Sequence, residues 1–180
     1  MRRPLEFEKD IRWMLGLCVL FMFYHELAHF GRDHTGVIAD QQSNTRAKEL
    51  GLTQAQFHKG MEIEADIGAS RDTAIHLMAD LERTVGRSNK RAYAESFQRF
   101  SYVITAMLGV FDSQRKAFAQ YNGAKYLHPM MRHLVFVETT TSVITGVSDE
   151  LALIWKNTEY HYQVRHKSVS RHAVRILPQR

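Results

Sequence analysis

The chain has 180 residues, 44% hydrophobic and 24% charged, a size and mix that suit one domain with a sizeable core and exclude both a wholly disordered chain and two full domains. Its single cysteine, Cys18, excludes an intramolecular disulfide and with it the disulfide-built secreted scaffolds, so a cytoplasmic setting is expected. The net charge of +5 sits at one end: residues 156–180 hold Lys156, Arg165, Lys167, Arg171, Arg175 and Arg180 against Glu159, and the 18 basic and 18 acidic residues elsewhere cancel.

Residues 9–30 predict a first helix, apolar on nearly all sides and hence central to the core. Its apolar stretch from Trp13 to Tyr24 is about a dozen residues, short of the ~20 that cross a bilayer. Glu6, Glu8 and Asp10 interrupt the signal-peptide pattern that Arg2 and Arg3 begin. A buried core helix and no membrane span are therefore expected. Gly31 to Asn44 reads as a connection, with room for one short strand around Val37–Ala39. A short helix from Thr45 to Leu50 stops at Gly51.

Thr53 and Gln56 have capping-box spacing at the head of a long helix, Gln54 to Val85, that Gly86 closes; Gly60 is the place where it could kink. Lys90 to Phe118 predicts another helix, with Tyr93, Phe97, Phe100, Ile104, Leu108 and Phe111 spaced for one face. The next break falls at Tyr121–Gly123 and His128–Pro129. Met130–Val137 fits a helix or a strand, and Thr139–Thr141 favours a strand locally, though the region as a whole is read as helical. Ser148 caps a last helix, from Asp149 to Tyr160. The pattern gives a mainly α domain over residues 1–160, with little or no sheet. Residues 161–180 form a basic tail that fits an edge strand or simple disorder; it reads as a solvated tail, and contact with nucleic acid or an acidic partner through 156–180 is the lesser reading.

The stretch His25-Glu26-Leu27-Ala28-His29 carries chemistry. Histidines four apart share a helix face, one turn above the other, and two neutral imidazoles there can meet one zinc ion at ~2.0–2.1 Å. Glu26 points to the adjoining face, where it can take a proton from zinc-activated water without ligating the metal. The preceding VLFMFY would carry both histidines into a dry interior, where unpartnered polar groups cost a few kcal/mol, and a metal explains such a pair. A catalytic zinc site needs a third protein ligand. Glu62 offers it, with Asp66 one turn on to accept the outward N–H of a ligating histidine. Ala65, Gly68 and Ala69 are small enough to let the two helices approach. His58 shares the Glu62 face and stays open as an alternative third ligand. Glu64 projects about 160° from Asp66 on an ideal helix and so belongs to another face. His34 reads as a loop residue. His76, His133, His161, His166 and His172 read as surface or satisfied core histidines.

The HExxH stretch followed by Glu62-Ile63-Glu64-Ala65-Asp66 resembles the gluzincin metallopeptidases, in particular the HtpX and CAAX-prenyl-protease family and the soluble Lit-type phage-exclusion peptidases. Tyr126-Leu127-His128-Pro129-Met130-Met131-Arg132 looks like the later His-Pro element of the first of these. The ImmA/IrrE peptidases are also similar, but carry E-x-x-A-N where this chain has Asp66. The resemblance implies a compact helical, zincin-like domain with an active-site helix and a second metal-ligand helix. It implies His25, His29 and Glu62 as ligands of Zn2+, Glu26 as general base, Asp66 as the orienting carboxylate, and His128, Tyr126 or Arg132 beside the oxyanion. The flanking transmembrane helices of the HtpX group are missing here, which favours a soluble form acting on protein or peptide substrates. The competing expectation is a non-catalytic helical module that binds metal, nucleic acid or a partner.

Overall fold

The computed structural model describes residues 4–34, 42–117 and 129–158. Six helices account for nearly all of them: α1 (Pro4–Gly31), α2 (Gln42–Glu49), α3 (Gln54–Val85), α4 (Lys90–Ala117), α5 (Pro129–Val147) and α6 (149–158). Among the described residues there is no strand, so the mainly α expectation holds. The segment read as helix or strand from Met130 is helical throughout α5, Thr139–Thr141 included. The possible strand at Val37–Ala39, the residues Tyr126 and His128, and the basic tail lie outside the described residues.

The helix ends follow local chemistry. Thr53 Oγ1 accepts from Gln56 N at 3.2 Å, and the Gln56 side chain accepts from Thr53 N at 2.8 Å, so two otherwise orphaned donors of α3 are satisfied reciprocally. Gly86 closes the helix at φ 74°, a left-handed position that costs a glycine little. Asn89 Oδ1 accepts from Ala92 N at the start of α4, and Ser148 Oγ from Leu151 N at the start of α6. α3 runs through Gly60 for 32 residues without a break.

An aromatic cluster joins the helices. Phe21 of α1 meets Phe136 of α5 edge-on at 6.4 Å, and Phe136 meets Phe100 of α4 at 5.1 Å. Trp155 of α6 packs on Phe97 and Phe136 and donates its indole N–H to Thr141 Oγ1 at 2.8 Å, which satisfies the one polar atom of a fully buried ring. Leu17, Leu77, Ile104, Leu108 and Ile144 complete the core. An ion pair at 2.9 Å between Arg99 Nη1 and Asp10 Oδ1 ties α4 to α1.

One expectation is corrected here. The first helix is not enclosed on all sides: Leu15, Val19, Phe23, Leu27 and Phe30 form an exposed apolar stripe along it. Uniform apolarity says that a helix is apolar, not which of its sides other elements will cover. The apolar segment also extends further than the dozen residues counted from the sequence. Glu8–Gly31 is continuous over 24 residues, long and apolar enough to cross a membrane by length and composition, and its most apolar window is only 22% buried.

Candidate metal centre

The site forms where α1 crosses α3. Ala65 and Ala69 are fully buried between the helices, and a Cβ added at Gly68 would stand 3.0 Å from the Ala28 Cβ. That closeness brings the histidine face of α1 against the carboxylate face of α3. His25 and His29 lie one turn apart, both buried, with their rings edge-to-face at 4.7 Å.

Three donor groups converge. His25 Nε2 and His29 Nε2 are 3.1 Å apart; His25 Nε2 is 3.7 Å from Glu62 Oε2, and His29 Nε2 is 3.6 Å from Glu62 Oε1. All three groups can offer atoms lying within 4.8 Å of one another. Two zinc ligands bonded at 2.0–2.1 Å and set at a tetrahedral angle are about 3.3 Å apart, so the spacing suits one ion with little adjustment. The Glu62 side chain keeps 21% of its surface exposed against 9% for each imidazole, so the site opens to solvent on the Glu62 side. Glu26, next to His25 on α1, is exposed on the adjoining face.

Asp66 lies behind His25. Its Oδ1 is 3.1 Å from His25 Nδ1, close enough to attract the ring N–H, although the contact is off the line of a strict hydrogen bond. Arg132, from α5, grips the same carboxylate with two bonds, Nε to Oδ2 at 2.7 Å and Nη2 to Oδ1 at 2.6 Å. Burial alone would raise the Asp66 pKa; the close His25 contact and the Arg132 hydrogen bonds, with the guanidinium charge, outweigh it and hold the carboxyl below its usual range. A carboxylate that stays ionised can only accept, so the His25 proton belongs on Nδ1 and the Nε2 lone pair faces Glu62. Burial, then the neighbouring His25, keeps His29 below the ordinary histidine pKa against the opposing pull of Glu62. Neutral imidazoles are the form that binds metal.

The other candidates are placed as follows. Glu64 is on a different face of α3 from Glu62, with Oε1 accepting from Arg32 at 2.7 Å and Oε2 3.1 Å from His34 Nε2. His34 is not a free loop residue. It is buried, and its Nδ1 lies 3.0 Å from His29 Nδ1. The turn that returns it comes from Asp33, at φ 55°, a left-handed position that Asp tolerates better than most residues. His58 is not part of the convergent group, and its Nε2 is buried without a hydrogen bond. Arg132 reaches the centre, but its donors are directed at Asp66 rather than at an open position. His133 is a core histidine paired with Thr105 Oγ1 at 3.0 Å, and His76 is exposed. Sequence reasoning thus missed two partners, Arg132 for Asp66 and His34 for His29. The first depends on a contact across 66 residues, for which no local pattern exists. The second had a signal, an Asp followed by His two residues beyond a glycine-ended helix.

No family model matches the chain, and neither does any curated protein or solved structure. The functional reading therefore rests on the residues and their geometry.

Proposed function

We propose that the protein is a zinc-dependent metallopeptidase of the gluzincin kind, its zincin-like domain built from α1 as active-site helix and α3 as second ligand helix. The observation that carries this reading is the convergence of His25 Nε2, His29 Nε2 and the Glu62 carboxylate within 4.8 Å, two buried and the third partly exposed. His25, His29 and Glu62 would hold the ion. Zinc bound by these residues would supply Lewis-acid chemistry, lowering the pKa of water toward ~7 and polarising a scissile carbonyl.

The chain's own residues supply the rest. Glu26 stands exposed beside His25 and acts as general base toward the attacking water, then returns the proton to the leaving amine. Asp66 fixes the His25 tautomer, and Arg132 keeps Asp66 ionised. The substrates proposed are proteins or peptides. The test is a comparison of wild type and Glu26→Gln for zinc content and for cleavage of a diverse peptide pool read by mass spectrometry. Wild type should carry about one zinc per chain and cut, and the variant should keep the metal while cleavage falls at least ~100-fold. A wild-type protein without zinc, or an equally active variant, would overturn the reading.

A second reading has one observation in its favour, the uncovered apolar stripe of α1. It adjoins an apolar groove lined by Met14, Leu15, Cys18, Tyr102, Met107 and Val110. In this reading the chain is a non-catalytic helical metal-binding module that docks on a partner. Wild type that binds zinc but cuts nothing in the pool would favour it.

A further inference from the structure

Two side chains remain to be explained beside the centre. His34 and Glu64 are neither convergent with Glu62 nor free: they extend outward from His29 as a chain of close polar contacts. His29 Nδ1 faces His34 Nδ1 at 3.0 Å, and His34 Nε2 faces Glu64 Oε2 at 3.1 Å. Arg32 holds the other Glu64 oxygen at 2.7 Å. His34 is 5% exposed, whereas the Glu64 side chain is 49% exposed, so the chain runs from the buried site to the rim.

The proton positions along this chain follow from its outer end. An ionised carboxylate only accepts, so the proton shared with Glu64 sits on His34 Nε2. The two Nδ1 atoms face each other and share one proton; with His29 Nδ1 as its donor, His34 Nδ1 accepts. His29 Nε2 is thereby left bare, 3.1 Å from the His25 Nε2 that Asp66 leaves bare in the same way. Without the Glu64 end, His29 could instead carry its proton on Nε2 and donate it to His25, which would compete with metal binding at that nitrogen.

We infer that His34 and Glu64 are positioning residues that set the tautomer and ring orientation of His29 for metal binding. The inference rests on the metal centre proposed above and deepens it. The centre then has two orienting arms, Arg132–Asp66 behind His25 and Glu64–His34 behind His29. Arms of this type contribute about 10–100-fold to metal affinity.

The test measures zinc affinity by chelator competition and the visible spectrum of the cobalt-substituted protein, with helicity checked by circular dichroism. The proteins compared are wild type, His34→Ala, His34→Asn and Glu64→Ala. His34→Ala should bind zinc about 10–100-fold more weakly and shift the cobalt bands. His34→Asn, whose side-chain oxygen can stand near the lost Nδ1, should recover most of that loss. Glu64→Ala lies at the exposed rim, where folding is not at risk, and should fall between wild type and His34→Ala. Wild-type affinity and an unchanged spectrum in both alanine variants would overturn the inference while leaving the metal centre standing. An asparagine variant as weak as the alanine variant would also overturn it, since the accepting atom would then be irrelevant. Failure of wild type itself to bind zinc would sink the centre and the inference together.

Discussion

At the scale of single residues, the centre depends on a charge kept where charges are costly. Asp66 is 1% exposed and Arg132 8%, and each is tolerated because the other supplies two hydrogen bonds and a counter-charge. Arg132→Met would preserve much of the packing volume but leave the carboxylate uncompensated, a loss that typically costs about 3–5 kcal/mol. Urea unfolding of the metal-free protein should show a drop of that size. Arg132→Lys should show a smaller one, because an ammonium keeps the charge and loses the planar two-point fit. An unchanged midpoint for the methionine variant would mean that Asp66 does not need its partner. This pair also marks how far the sequence could be read. The one-turn spacings of His25 with His29 and of Glu62 with Asp66 were legible, because both members of each pair lie on the same helix. Arg132 was visible only as part of a His-Pro element and was assigned to the oxyanion, since nothing local indicates that α5 would bring it behind Asp66.

At the scale of helices, two glycines of α3 separate intrinsic propensity from packing. Gly60 has open space where a Cβ would go, whereas a Cβ at Gly68 would meet the Ala28 Cβ at 3.0 Å. Gly60→Ala should therefore stabilise the protein by roughly 0.5–1 kcal/mol through helix propensity alone. Gly68→Ala gains the same term but must move α1 away from α3, and overpacking of this kind costs about 1–3 kcal/mol. Because an alanine methyl cannot swing aside, net destabilisation is expected, with weaker zinc binding as the His25–His29 face withdraws from Glu62. Thermal melts of the two variants should move in opposite directions, and zinc titrations should change in only one of them: Gly60→Ala up in stability with unchanged affinity, Gly68→Ala down in both. The small residues, the capping box at Thr53 and the cap at Ser148 were legible in advance, since each follows from local geometry. The exposed stripe of α1 was not, because which side of an all-apolar helix is covered depends on α3, α4 and α5 together.

At the scale of the whole molecule, the proposed ligands come from two helices, with His29 and Glu62 33 positions apart in the chain, so an ion bound there would cross-link α1 to α3 and favour the folded state over the unfolded one. At free zinc of 100 times Kd the linkage amounts to about 2.7 kcal/mol, which for a chain of this size corresponds to a rise in Tm of roughly 5–11 °C. The ten histidines of the chain complicate a single comparison, since an unfolded chain can bind zinc too and reduce the shift. The informative quantity is therefore the difference between zinc and chelator within each variant. His25→Ala and Glu62→Ala each remove one of three ligands and should lose most of the shift, whatever they do to the metal-free melting temperature. Glu26→Gln should keep the full shift, because its carboxylate is exposed on the adjoining face and lies outside the ligand set. Equal shifts in all four proteins would mean that zinc acts elsewhere on the chain, whereas a shift lost in Glu26→Gln would make Glu26 a ligand and remove it from the role of base.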